Sequence, residues 1–263
     1  MPNPKGREDE ALAADTRTDP ISAAPVVPLD LASFNLEQAT LEIRYPIALQ
    51  LWDKCGSVWE LIREKWAGID IVPSHAEPSR TIFRAGKNTL TIEMEAARIT
   101  TPYPDRSLDE FGKSARDFVT AVVQGLKIPH FKRVGFRPVY FWECATRERA
   151  VSTFFSLGLV KLPEGKRFEV SEHPRNAQYI LRWESDAKGV LLQVRDETRK
   201  LDFDPPPELA DSVDPVHTER HGITLDVDYY TVAPVEPAQL DLAEWIRHST
   251  HVIGRDTKYV FGE

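Results

Sequence analysis

The chain predicts an α+β protein: a curved antiparallel sheet with helices packed on one face, arranged as two loosely similar β-α-β-β-α halves. Three observations point there. Strand-like runs come in consecutive groups joined by short turns, as in "RTIFRAGKNTLTIEMEAARI" (80–99), the way antiparallel strands connect. Segments with 3-to-4-residue apolar spacing separate these groups, which places helices against a sheet of antiparallel strands. In the second run of that stretch Leu90, Ile92 and Met94 share one face and Thr91, Glu93 and Glu95 the other, a sheet with one covered side and one wet side.

Residues 1–33 hold five prolines and many charges without sustained periodicity, and read as a disordered tail ahead of one folded domain over 34–263. A strand, "ATLEIRYP", leads through Pro46 into a helix over 47–66 whose stripe is Leu51, Trp52, Cys55, Val58, Trp59 and Ile62. Trp52 and Trp59 are expected as core anchors. After the hairpin around "AGKN", Ser107 and Glu110 form a capping box for a helix with Leu108, Phe111, Phe118, Val119, Val122 and Leu126 inward. The run 131–144 is extended, but Pro138 cannot donate to a ladder, so an edge strand or a bulge is expected there. Thr146 caps a short helix that stops near Gly158. Four strands follow, "KRFEV", "AQYILRWE", "GVLLQVRDE" and "GITLDVDYYTV", with the proline-rich 202–215 as a loop before the last. A final helix starts at Asp241 and carries Leu242, Trp245, Ile246 and Val252 inward.

The formal charge of −8 disfavours a protein whose main task is neutralising nucleic-acid phosphates. Two cysteines, Cys55 and Cys144, give no disulfide framework and suit a reducing cytoplasm. No apolar run approaches the roughly 18 residues of a membrane span. Glycine-rich phosphate loops and nucleophile elbows are absent, so no cofactor is expected.

Four histidines fall in two pairs, "HTERH" (217–221) and "HSTH" (248–251), which raises a metal site. "HTERH" is placed at a loop-to-strand boundary with no fixed geometry to join its histidines, and the last helix turns His251 away from its apolar stripe, with His248 on the flank. "LDVD" puts Asp226 and Asp228 on one strand face, where they either hold a cation with His221 or line a solvated face. The first option makes a metal-dependent nuclease or nucleotidyl enzyme. A restriction-type nuclease reading of Asp186, Gln193 and Arg195 lacks both the acid and the lysine it needs. Arg133 and Arg137 lie two pleats apart on one face of the 131–144 strand and are the candidate contact for an anion or a partner; the alternative is pairing with carboxylates such as Glu93, Glu95 or Asp226.

Through "ATLEIRYP", "RVGFR" (133–137), "LDVD" and the C-terminal helix ending near a histidine, residues 35–263 resemble a sporadically distributed prokaryotic family of uncharacterised proteins, departing from it at Pro138, where the family tends to an aromatic. The resemblance implies a fold and an accessory role, such as defence or toxin neutralisation; it carries no catalytic residues. The combined expectation is a non-enzymatic cytoplasmic binding module for a protein partner or a small anionic ligand, without metal, cofactor or membrane attachment.

Overall fold

The computed structural model describes residues 29–66, 70–77, 80–160, 176–203 and 215–261, with residues 205 and 212. Its elements run β1 (Asn35–Arg44), α1 (Leu51–Lys65), β2 (Ile71–Glu77), β3 (Arg80–Ala85), β4 (Asn88–Glu93), β5 (Ala96–Pro102) and α2 (Asp109–Leu126). They continue with β6 (Arg133–Cys144), α3 (Arg147–Ser156), β7 (Gln178–Glu184), β8 (Lys188–Phe203), β9 (Val216–Thr231) and α4 (Leu242–Phe261). One nine-stranded antiparallel sheet, in the order β2-β3-β4-β5-β1-β6-β9-β8-β7, joins them. Each half opens with a strand that pairs with the last strand of that half, β1 with β5 and β6 with β9, and the two opening strands pair with each other at the centre. The α+β class is therefore observed, and two similar halves recur, but among the described residues they carry four and three strands between their helices instead of the expected two.

Alternation sorts the side chains. Leu41 and Ile43 of β1, Ile99 of β5, Leu90 and Ile92 of β4, Phe136 of β6, and Leu225 and Val227 of β9 point to one side and are buried, at most 2% exposed. All four helices cover that side: α2 packs on β1 and β5, α4 on β9, and α3 on β6, β8 and β9, while α1 stacks on α2. The α1–α2 crossing is close because Gly125 has no side chain; a Cβ there would stand 2.5 Å from Val58 Cγ2. At the other end of the helical layer Trp245 of α4 packs on Tyr229 with centroids 5.2 Å apart.

Several expectations need correction. β6 is central: it pairs with β1 and β9 along its length, and the β9 ladder passes from Phe136↔Tyr229 to Val139↔Asp226 without rungs at Arg137 and Pro138, which accommodates a residue with no N–H. The bulge falls on β1, between Leu36 and Gln38. "HTERH" lies inside β9, with His217 opposite Asp202 and His221 opposite Thr198, so β8 and β9 form a longer hairpin than expected. α1 starts at Leu51 and turns Leu51, Val58 and Ile62 inward, leaving Trp52 60% exposed instead of anchoring the core. α2 has no capping box; Leu108 takes the cap in the left-handed region (φ 58°) without a side-chain bond. β2 and β5 were not anticipated. The break between β4 and β5 belongs to Tyr45, whose buried hydroxyl bonds the carbonyls of Glu93 and Ala96 at 2.7 and 2.9 Å.

The caps at Thr146 and Asp241 are as read: Thr146 Oγ1 accepts from Arg149 N, and Asp241 Oδ1 from Ala243 N and Glu244 N. The "KRFEV" strand and residues 1–28 of the tail lie outside the described residues, as does most of the proline-rich stretch. Leu29 is buried and Leu31–Ser33 form a short 3-10 turn capped by Asp30. Among the described residues no helix is long and apolar enough to cross a membrane.

Candidate functional site

The second face of the sheet has no helix packed on it among the described residues, and its strands carry a selected set of charges. Its basic side chains are all arginine: Arg80 and Arg84 on β3, Arg98 on β5, Arg44 on β1, Arg133 and Arg137 on β6, Arg220 on β9, Arg195 and Arg199 on β8, and Arg182 on β7. Both lysines within β8, Lys188 and Lys200, point to the helical side. Arginine offers five donors in a rigid fork suited to carboxylates and stacks on rings, so the choice favours fixed geometry over loose positive charge.

Six of these arginines lie in three rows across the sheet. In the first, Arg133 Nη2 donates to Asp228 at 2.5 Å, pairs with Glu42 at 3.6 Å and lies 4.3 Å from the centre of the Tyr230 ring. Glu42 continues the row to Arg98 at 3.2 Å, and Tyr230 continues it to Glu184 through a 2.5 Å bond. Two glycines make this row possible. A Cβ on Gly189 would stand 2.5 Å from the Tyr230 ring, and one on Gly135 would stand 2.7 Å from Arg133 Nη1 and 3.0 Å from Asp228 Oδ1. The glycine of "RVGFR" is the floor on which Arg133 lies.

In the second row Arg137 makes a two-pronged contact with Asp226, Nε to Oδ1 at 2.7 Å and Nη2 to Oδ2 at 2.6 Å, while Arg195 stands 3.8 Å from the same carboxylate. In the third, Arg199 and Arg220 lie 4.2 and 4.9 Å from the Phe141 ring centre and both donate to Glu37, which the β1 bulge turns onto this face. Glu37 on β1 and Arg199 on β8 are three strand spacings apart, about 14 Å in a flat sheet. Arg199 crosses that width lying over the Phe141 ring of β6, the strand between them that neighbours β1. The second and third rows line a depression of about 410 Å³ between them, rimmed by Tyr103 and Pro102.

Burial governs the protonation of this lattice. Asp228 is held above the ordinary carboxylate range by desolvation, with Arg133 pulling the other way. Arg137 is raised, chiefly by its hydrogen bond to Asp226. Arg199 is lowered by burial and by the neighbouring charge of Arg220.

The structure thus brings the two sequence-derived candidate sets together as partners: Arg133 with Asp228, and Arg137 with Asp226. The third member of the alternative metal set is elsewhere. His221 has odd register on β9 and points to the helical side, where Nδ1 lies 3.0 Å from Thr198 Oγ1, whereas Asp226 and Asp228 face the bare side. Asp226, Asp228 and His221 therefore do not converge, and the described residues contain no group of three or more His, Cys, Asp or Glu placed to hold a metal ion. Asp186 sits at the β7–β8 turn, apart from Gln193 and Arg195 in mid-strand. Glu93 pairs with Arg80 instead of either candidate arginine. Arg199, Arg220 and Glu37 were missed, and Arg195 was weighed only within the nuclease set, yet the period-2 series Gln193, Arg195, Glu197, Arg199 marks one polar face of β8.

Fold and site together define an α+β protein with an arginine-carboxylate lattice on a sheet face that no helix covers among the described residues. No family model matches the chain, and no curated protein matches it. Among solved structures, the di-domain ARO/CYC StfQ from the steffimycin biosynthetic pathway aligns over 85% of this chain and 96% of that chain at 10% identity. The TM-score is 0.18, too low to equate the two backbones.

Proposed function

We propose that this protein is a non-enzymatic binding module that recognises a partner protein with the face of its sheet on which, among the described residues, no helix packs. The observation that carries the reading is the lattice itself: a sheet face without helical cover among the described residues, on which the arginines of the central strands are held in place by carboxylates, rings and a glycine floor. Pre-positioned side chains lower the ordering cost of association, and a mosaic of both signs supplies orientation and selectivity. The carboxylates of the enzymatic alternative are engaged by arginines, which disfavours that reading. An accessory role in defence or toxin neutralisation enters this proposal through the family resemblance alone.

A small anionic ligand is the second reading, supported by the depression that Arg137, Arg195 and Arg199 line. Arg195 discriminates well because it has only ion pairs, at 3.4 and 3.8 Å, so changing it spares the lattice bonds. Full-length protein, Arg195→Glu and a helical-side control, Lys113→Glu, serve as baits in native-host lysate, with captured chains identified by mass. The proposal expects a specific partner lost with Arg195→Glu and kept with Lys113→Glu. Identical capture by all three baits overturns it.

A further inference from the structure

We propose a second binding site, on the opposite side of the sheet, for a small amphipathic carboxylate: an apolar body in the slot between α4 and β7–β9, and a head group on Lys188. The slot holds about 490 Å³, within the roughly 300–1,000 Å³ span of ligand pockets. Tyr179, Leu181 and Trp183 of β7, Val190 of β8, and Val252 and Val260 of α4 line it. Its origin is a difference between the halves. In the first, the inward side chains of the outer strands, Phe83, Leu90 and Ile92, are sealed to 0–2% exposure. In the second, the helix that follows the opening strand has 10 residues against 15 and packs on β6, β8 and β9, leaving Trp183 on β7 49% exposed.

Next to this apolar slot, just beyond the residues that line it, stand Lys188 and His248. Lys188 lies two residues before Val190 on the same face of β8, and His248 one helical turn before Val252 on α4. Lys188 Nζ, which can only donate, is 3.1 Å from His248 Nε2 and 5.8 and 5.6 Å from the ring centres of Tyr229 and Trp245. Among the described residues it has no carboxylate partner, so a half-buried ammonium is left with an imidazole and two rings. The one acid lining the slot, Asp256, is already held by Arg255 through bonds of 2.6 and 2.9 Å and does not call for a cation. Charge and shape together select an apolar molecule with a single anionic end. This site is independent of the arginine lattice, and neither proposal falls with the other.

The test titrates the full chain with decanoate, and with decanol as its uncharged counterpart, below the micelle point, reading heat and tryptophan fluorescence. Decanoate should bind, and Lys188→Met should weaken it about tenfold or more, the loss of one charge-assisted contact, while leaving decanol unchanged. Val252→Trp, which fills the slot, should abolish both; Lys188→Met, at a half-exposed position, decides the matter if that variant does not fold. Absence of decanoate binding overturns the proposal, as does equal affinity in Lys188→Met or undiminished binding by folded Val252→Trp. Capture by anionic phospholipid vesicles without uptake of free decanoate overturns it in favour of a membrane surface.

Discussion

Gly135→Ala should cost stability only while Arg133 is present. A methyl group there would stand 2.7 Å from Arg133 Nη1, 3.2 Å from its Cζ and 3.0 Å from Asp228 Oδ1, so the guanidinium, the far end of a flexible side chain, has to shift, and at the most to leave its seat. Leaving forfeits a charge-assisted bond worth about 1.5–3 kcal/mol and a ring contact worth about 0.5–1 kcal/mol. Screening by water reduces these little, since both side chains of the pair are one-fifth exposed or less. Replacing glycine within a strand returns about 0.5–1 kcal/mol. The expected net cost is therefore measurable but no more than about 3 kcal/mol, read as a shift in the urea midpoint with an unchanged slope. In an Arg133→Met background the same change should fall within about 0.5 kcal/mol of neutral or stabilise, because the obstructing group has gone. An equal cost in both backgrounds would refute the reasoning and place the collision in the backbone.

Arg137→Met and Asp226→Asn should each destabilise by about 1–3 kcal/mol, and the double variant by clearly less than their sum; additive losses in urea unfolding would mean that the pair is not coupled. Asp196, buried on the helical side with Oδ1 lacking a partner, is raised above the ordinary carboxylate range by burial. A raised folded value means that the native state holds its proton longer than the unfolded chain, so this group's contribution falls as pH rises through that window. Asp196→Asn should therefore melt higher than the wild type at pH 7, by a margin that shrinks toward pH 4; a constant margin would sink the assignment. Burial pushes the Cys144 thiol up to about 11, so alkylation of the native protein at pH 8 should be slow and should accelerate toward pH 11. A native rate matching that in urea would contradict the burial.

Much of the helical side was legible because it rests on periodicity alone. The α2 stripe from Leu108 to Leu126, the Thr146 and Asp241 caps, and the two faces of β6 follow from spacing and residue type. Pro138 misled because proline was read as excluded from a central strand; the lattice tolerates it by omitting rungs on one side, which no local rule reveals. Trp52 misled because it lies about 100° round the helix from Leu51, beside the line of Leu51, Val58 and Ile62 that the packing buries. At the candidate site the sequence supplied Arg133, Arg137, Asp226 and Asp228 but not their pairing. Pairing depends on register between strands about 90 residues apart in the chain. Glu37 could not be assigned to the bare side at all without the bulge that turns it there.

The contact between Glu37 and Arg199 has a consequence for stability. A strut tying the first strand of one half to a strand of the other, across Phe141, joins the two halves through side chains as well as through the β1–β6 ladder. Salt should weaken the two-pronged Arg137 contact before this strut, because Arg137 is 48% exposed and Arg199 28%, and the more buried pair is screened less.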